Sequence, residues 1–181
     1  MNATRLGLAI FLGLGFLAVG LFGFKAEKPT LDMSDFLRVH IRANSNSEID
    51  QTLKYEVKNK VVETLTPLLA NAETKAQAIE IVGRNIPLIE SVSSKVLEEN
   101  KFFYGATAEV KQEYFPTRSY DGHVLEAGEY DALILNLGQG KGDNWWCVVY
   151  PPLCFVGGEN NGATGLTYKS KLQEIINNFF K

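Results

Sequence analysis

Histidine and cysteine are scarce in this chain, with two of each in 181 residues. A structural zinc centre usually draws on C-x2-4-C pairs with more Cys or His nearby. Here Cys147 and Cys154 are spaced C-x6-C, and His40 and His123 lie in distant segments. No metal and no cofactor is therefore expected. Ser-His-Asp, G-x-S-x-G and H-E-x-x-H patterns are missing as well, so no strong catalytic signature is present and the chain is not expected to be an enzyme. Runs of Lys or Arg are absent and the net charge is −3, which removes the electrostatic reason to expect nucleic acid. The chain contains no internal repeat.

The Gly-rich stretch GQGKG, 138–142, does not fill the gap. A phosphate loop needs glycines that open a helix whose N-terminal amides face the anion. This stretch opens a strand and has no Lys followed by Ser or Thr. It reads as a hairpin turn between the two last strands.

What is present begins at the amino terminus. Leu6 to Phe24 runs without a charge, behind Arg5. As a helix it would span about 28 Å, barely the hydrocarbon core. Five glycines weaken it as a lasting anchor, and Ala18-Val19-Gly20 is an imperfect cleavage site. The segment 1–24 is thus either a signal peptide or a membrane anchor. In both cases the charge before the run places the body outside the cytoplasm.

Residues 25–35 read as a linker, followed by a domain over 36–156. With 45% hydrophobic and 22% charged residues, the composition of the full chain is globular, and its length suits one core. FLRVHIRAN alternates, with Leu37, Val39 and Ile41 on one face and Arg38, His40 and Arg42 on the other, which predicts a half-buried strand. Ser47 is placed to cap a helix over 48 to about 70, ending near Pro67. Its apolar stripe would be Ile49, Leu53, Val57, Val61 and Leu65. ETKAQAIEIVGRN predicts a second helix. PLIESVSSKVLEEN predicts a third, with Pro87 in its first turn. Three strands follow at ATAEVKQEYF, EYDALILNLG and NWWCVVY. The expected class is α/β, as a two-layer α+β domain with helices on one face of a mostly antiparallel sheet. A flexible spacer (157–166) and an amphipathic tail helix (167–181) complete the chain.

Candidate sites are few. Glu129 and Asp131 would share one strand face near Glu126, a carboxylate pair suited to acid–base work, although solvated strand residues show the same pattern. His40 between Arg38 and Arg42 makes a basic strand face, either a polar outer face or an interaction stripe. Adjacent residues on a strand point to opposite faces, so Trp145 and Trp146 must diverge. An outward Trp suggests a partner surface or a stacking site for sugar, and burial of both is the other reading. Outside the cytoplasm Cys147 and Cys154 can pair across Pro151-Pro152, closing a short loop for about 2–3 kcal/mol. Two buried thiols remain the alternative.

Four stretches carry a resemblance: LRVHIRANSNSEIDQTLKYEVKNKV (37–61), YFPTRSYDG (114–122), EAGEYDALILNLGQGKGDNWWCVVYPPLCF (126–155) and the leading apolar run. In this order they resemble the stage II sporulation protein R family, over about 38–155. The resemblance implies a secreted signalling protein of endospore-forming bacteria, made in the forespore. It would be exported to the space between the forespore and mother-cell membranes, or be anchored to the forespore membrane with its body outside. There it would activate a membrane-embedded aspartic protease that processes the sigma-E precursor. Candidate contact residues are Arg38, Arg42, Asn44, Ser45, Asn144, Trp145 and Trp146. The competing reading is an exported cell-envelope enzyme or glycan-binding module using Trp145, Glu126, Glu129 and Asp131.

Overall fold

Apolar residues at every second position build the central strand, β1 (Leu37–Arg42). A computed structural model describes residues 35–120 and 123–153. The leading apolar run, most of the expected linker, Cys154, the spacer and the tail helix lie outside the described residues.

Three helices follow β1: α1 (Glu48–Leu69), α2 (Lys75–Arg84) and α3 (Ile86–Glu99). Asp50 N donates to the Ser47 side chain at 3.2 Å, and Gln77 N to Thr74 at 3.2 Å, so both caps come from side chains preceding the helix. Pro87 stands in the first turn of α3, where its missing N–H costs nothing. Pro67 sits in the last turn of α1, and the helix runs on to Leu69.

The strands after the helices are β2 (Ala106–Phe115), β3 (Arg118–Tyr120), β4 (His123–Leu125), β5 (Gly128–Leu137) and β6 (Asn144–Tyr150). Four of the six form one sheet in the order β2-β5-β1-β6. β2–β5 and β1–β6 are antiparallel and β1–β5 is parallel. The expected layered α+β domain with a mostly antiparallel sheet is therefore what the chain forms. Leu53, Val57, Val61 and Leu65 of α1, Ala78 and Val82 of α2, and Ile89 and Leu97 of α3 pack on Leu37, Val39, Ile41, Leu133, Leu135 and Leu137. Among the described residues, none of α1, α2 or α3 joins the second cluster, on the opposite sheet face, where Phe36, Phe115, Leu125, Tyr130, Ile134 and Val148 meet.

Several local expectations need correction. β5 and β6 are not a hairpin, because β1 lies between them. The Gly-rich loop instead wraps the end of β1, with Gly142 N donating to Ala43 O at 2.8 Å and Lys141 N to Asn44 O at 3.3 Å. A Cβ on Gly142 would stand 2.2 Å from Ser45 O, so only glycine permits this approach. β1 is not half-buried either. Arg38 and His40 are as enclosed as their apolar neighbours, because β3 and β4, a small hairpin that the alternation did not signal, bring Tyr120 and Leu125 onto that face. Ile49 is 48% exposed rather than on the apolar stripe. A strict spacing of four drifts about 40° per step on a 3.6-residue helix, and the buried position in that turn goes to Asp50.

Candidate functional site

The polar centre of the fold lies on the helix-free sheet face. β1 contributes Arg38, His40 and Arg42 at alternate positions, and the sheet register sets their neighbours. His40 is opposite Trp146, and Arg42 is opposite Asn144 on one side and Asn136 on the other. From β2, Glu113 reaches across β5. His40 Nδ1 donates to one of its carboxylate oxygens, and Arg42 Nη2 donates to the other at 2.7 Å. Arg42 Nη1 also donates to Asn136 Oδ1 at 3.3 Å. Burial pushes the Glu113 carboxyl up, but His40 and Arg42 outweigh it and hold the group below its ordinary range.

Trp146 stacks on His40, with ring centroids 5.3 Å apart. The Arg118 guanidinium carbon stands 4.5 Å from the Trp146 ring centroid. The result is a half-exposed band of Arg42, Asn144, Trp146, Arg118 and Glu113.

Beneath it Arg38 is fully buried. Its Nη2 donates to the Tyr120 hydroxyl at 2.7 Å. The guanidinium carbon lies 4.1 Å from the Phe115 ring centroid and 4.7 Å from that of Tyr130. Among the described residues, Arg38 Nε and Nη1, and Nε2 of His40, have no hydrogen-bond partner. Arg38 is thus a cation held by aromatic faces rather than by a carboxylate, and the strength of such contacts rises when water is excluded. Burial pushes the Tyr120 hydroxyl up, with Arg38 and Arg118 opposing, so the phenol stays protonated at neutral pH.

A second polar cluster ties α1 to the loops. Ser45 Oγ donates to Asp50 Oδ2 at 2.5 Å, Asn44 Nδ2 to the same oxygen at 3.0 Å, and Tyr104 OH to Oδ1 at 2.8 Å. Burial raises the Asp50 carboxyl, and these donors with Ser47 bring it below its ordinary value. Asn44 Oδ1 accepts from Gln139 N at 3.0 Å. Lys54, itself buried, donates to Asp143 O at 3.1 Å.

The contact candidates therefore divide. Arg42, Asn144 and Trp146 share the half-exposed band, with Arg38 enclosed below it. Asn44 and Ser45 are engaged in seating α1 and the Gly-rich loop. Trp145 points to the helix side, where it packs on the core and the Lys58 Nζ lies 5.7 Å from its ring centroid. The pair diverges across the pleat as expected. Glu113, Arg118 and Tyr120 are site residues that the sequence did not single out. The one signal for Glu113 was its place within the strand run ATAEVKQEYF, as a polar position on a strand.

The carboxylate pair is not assembled for acid–base work. Asp131 accepts from Lys75 Nζ at 2.5 Å, Glu129 has no such partner among the described residues, and Glu126 lies near Thr117 with Oγ1 at 3.4 Å. Among the described residues no group of three or more His, Cys, Asp or Glu is arranged to hold a metal ion. Cys147 is buried on β6, and Cys154 lies outside the described residues.

Comparison with known proteins gives these features a lineage. The family model described as stage II sporulation protein R matches residues 33–160. The curated protein named stage II sporulation protein R from Bacillus subtilis (strain 168) is 33% identical over 159 residues, covering 85% of this chain and 71% of that protein. No solved structure matches. The match spans the whole described fold and both polar clusters, and on it the chain belongs to the stage II sporulation protein R family of sporulation proteins.

Proposed function

We propose that this chain is an exported signalling ligand of sporulation that carries out no chemistry itself. It activates a membrane-embedded aspartic protease, and that protease processes the sigma-E precursor. The observation that carries this reading is the band of Arg42, Asn144, Trp146 and Arg118 on a rigid sheet. Aromatic and arginine side chains set on strands are the residue types that dominate binding hot spots. His40 is the one described side chain with the look of a general base oriented by a carboxylate, and its free ring nitrogen is enclosed. That favours a binding role over catalysis.

A ligand activates a receptor only by binding its active state better than its inactive one. Moving a protease from about 1% to 99% active takes roughly 5.5 kcal/mol of differential binding. Two or three hot-spot side chains supply energy on that scale. The glycan-binding alternative, which relied on Trp145, is less well supported, because that ring packs on the helix-side core instead of facing outward.

The test is coexpression with the protease and the precursor. The full chain should give processed sigma factor, and deletion of Leu6 to Phe24 should abolish signalling from the producing cell. Arg42→Glu should abolish it with export retained. Processing unaffected by both changes would overturn the reading, and retention of the purified chain on peptidoglycan would favour the glycan-binding alternative.

A further inference from the structure

Strand β2 is an edge of the sheet, and its outer side is open over only part of its length. Ala106 N donates to Ser94 Oγ at 3.2 Å and Ala108 N to Glu90 Oε1 at 2.8 Å. Side chains of α3 thus close the first half of this edge. Those two bonds also show which residues turn their amides away from β5. The β2–β5 register continues without a shift from Ala106 to Phe115, so the two-residue period of a strand places the Val110, Gln112 and Tyr114 amides on the same outer side. Among the described residues nothing bonds to them. Pro116, which has no N–H, closes the far end.

We propose that this open stretch pairs with the same stretch of a second copy, as an antiparallel two-fold ladder with Gln112 on the axis. In that register Val110 faces Tyr114 of the second copy and Lys111 faces its Glu113. The two closed positions, Ala108 and Pro116, also fall opposite each other, so the ladder ends where both chains stop offering amides. Charge complementarity selects the second copy. Lys111 already donates to Glu109 at 2.5 Å, and in the pair it lies between that carboxylate and Glu113 of the other chain. Tyr114, 62% exposed in one copy, covers half-buried Val110 of the other. A two-fold interface requires this kind of self-complementarity, residue i on j and j on i. The ladder brings Lys111 of one copy beside the carboxylate that holds His40 and Arg42 of the other.

The experiment is light scattering of the purified full chain over a concentration series, with two variants. Gln112→Pro removes an outward amide that the single chain does not use, which an edge strand tolerates. Lys111→Glu sets acid against acid across the ladder. Each should weaken dimerisation by at least about tenfold, with far-UV circular dichroism unchanged and the urea midpoint unchanged at concentrations where the parent chain is monomeric. Gln112→Cys should cross-link to itself with a short bis-maleimide, whereas Glu98→Cys on α3 should not. A monomer at all concentrations, or oligomers held by the apolar run that ignore both substitutions, would overturn the proposal.

Discussion

His40 and Trp146 face each other across β1 and β6, and their rings stack with 29° between planes. The same His40 donates to Glu113, which also receives Arg42. Strand pairing, ring stacking and a hydrogen bond to a carboxylate therefore hold one side chain from three directions, and the outer band inherits its geometry from that arrangement.

Trp146→Ala removes the stack and the seat of Arg118. Since the ring is half-buried, the expected loss is about 2–3 kcal/mol, below that of a fully buried Trp. Signalling should fall further than stability does, leaving a folded chain that does not activate at saturating dose. Trp145→Ala should lose stability but recover signalling at higher dose. Urea unfolding beside precursor processing separates the two, and equal behaviour of both variants would count against the outer band.

Replacing a buried charge with an apolar chain of similar length often costs nothing. Arg38→Met should therefore change stability by no more than about 1 kcal/mol, since two of its nitrogens already lack partners. Tyr120→Phe should do worse, about 1–3 kcal/mol, because it leaves a third nitrogen unsatisfied. A larger loss in Arg38→Met than in Tyr120→Phe, read from denaturant midpoints, would mean that the aromatic faces hold the cation more strongly than the single hydrogen bond to Tyr120 does.

The donors around Asp50, and His40 and Arg42 beside Glu113, hold each carboxyl below its own ordinary value. Their stabilisation is fully present above the unfolded value, about 4. It is lost as pH falls through the depressed folded value. Urea midpoints should hold from neutral pH down to about 5 and then drop. Asp50→Asn should lower stability at neutral pH by about 1–3 kcal/mol and flatten that acid limb. An unchanged slope would show that Asp50 is not among its causes.

Two glycine-to-alanine substitutions should act with opposite sign. Gly142→Ala drives a Cβ against the Ser45 carbonyl and should unseat the loop, costing more than about 2 kcal/mol. Gly83→Ala, in α2 with open space around it, should stabilise by about 0.5–1 kcal/mol. Thermal melts of the pair check both signs at once.

Cys147 and Cys154 are expected to pair in an oxidising compartment, where the proposed export would place them. Cys147→Ser alone and the double Ser variant should then lose the same stability, since both remove one bond. Two alkylated thiols in unreduced protein, seen by mass, would refute the pairing.

The sequence by itself determined the local elements. β2 and β6 begin and end where the strand-forming runs ATAEVKQEYF and NWWCVVY placed them, because runs of β-branched and aromatic residues bounded by turn residues declare a strand locally. The caps at Ser47 and Thr74 and the proline opening α3 are equally local chemistry. The divergence of Trp145 from Trp146 also follows from the pleat alone. Only the tertiary structure decided which strands are neighbours. β1 sits between β5 and β6 through a parallel pairing across most of the domain, and the loop glycines look the same whether they close a hairpin or wrap a third strand. The burial of Arg38 and His40 was illegible for the same reason. Their alternation with Leu37, Val39 and Ile41 matches a solvated face, and what encloses them arrives from Tyr120 and Phe115, distant in the chain. A polar side chain on a strand reports its own hydration preference, whereas its partners are set by which segment the fold lays over it.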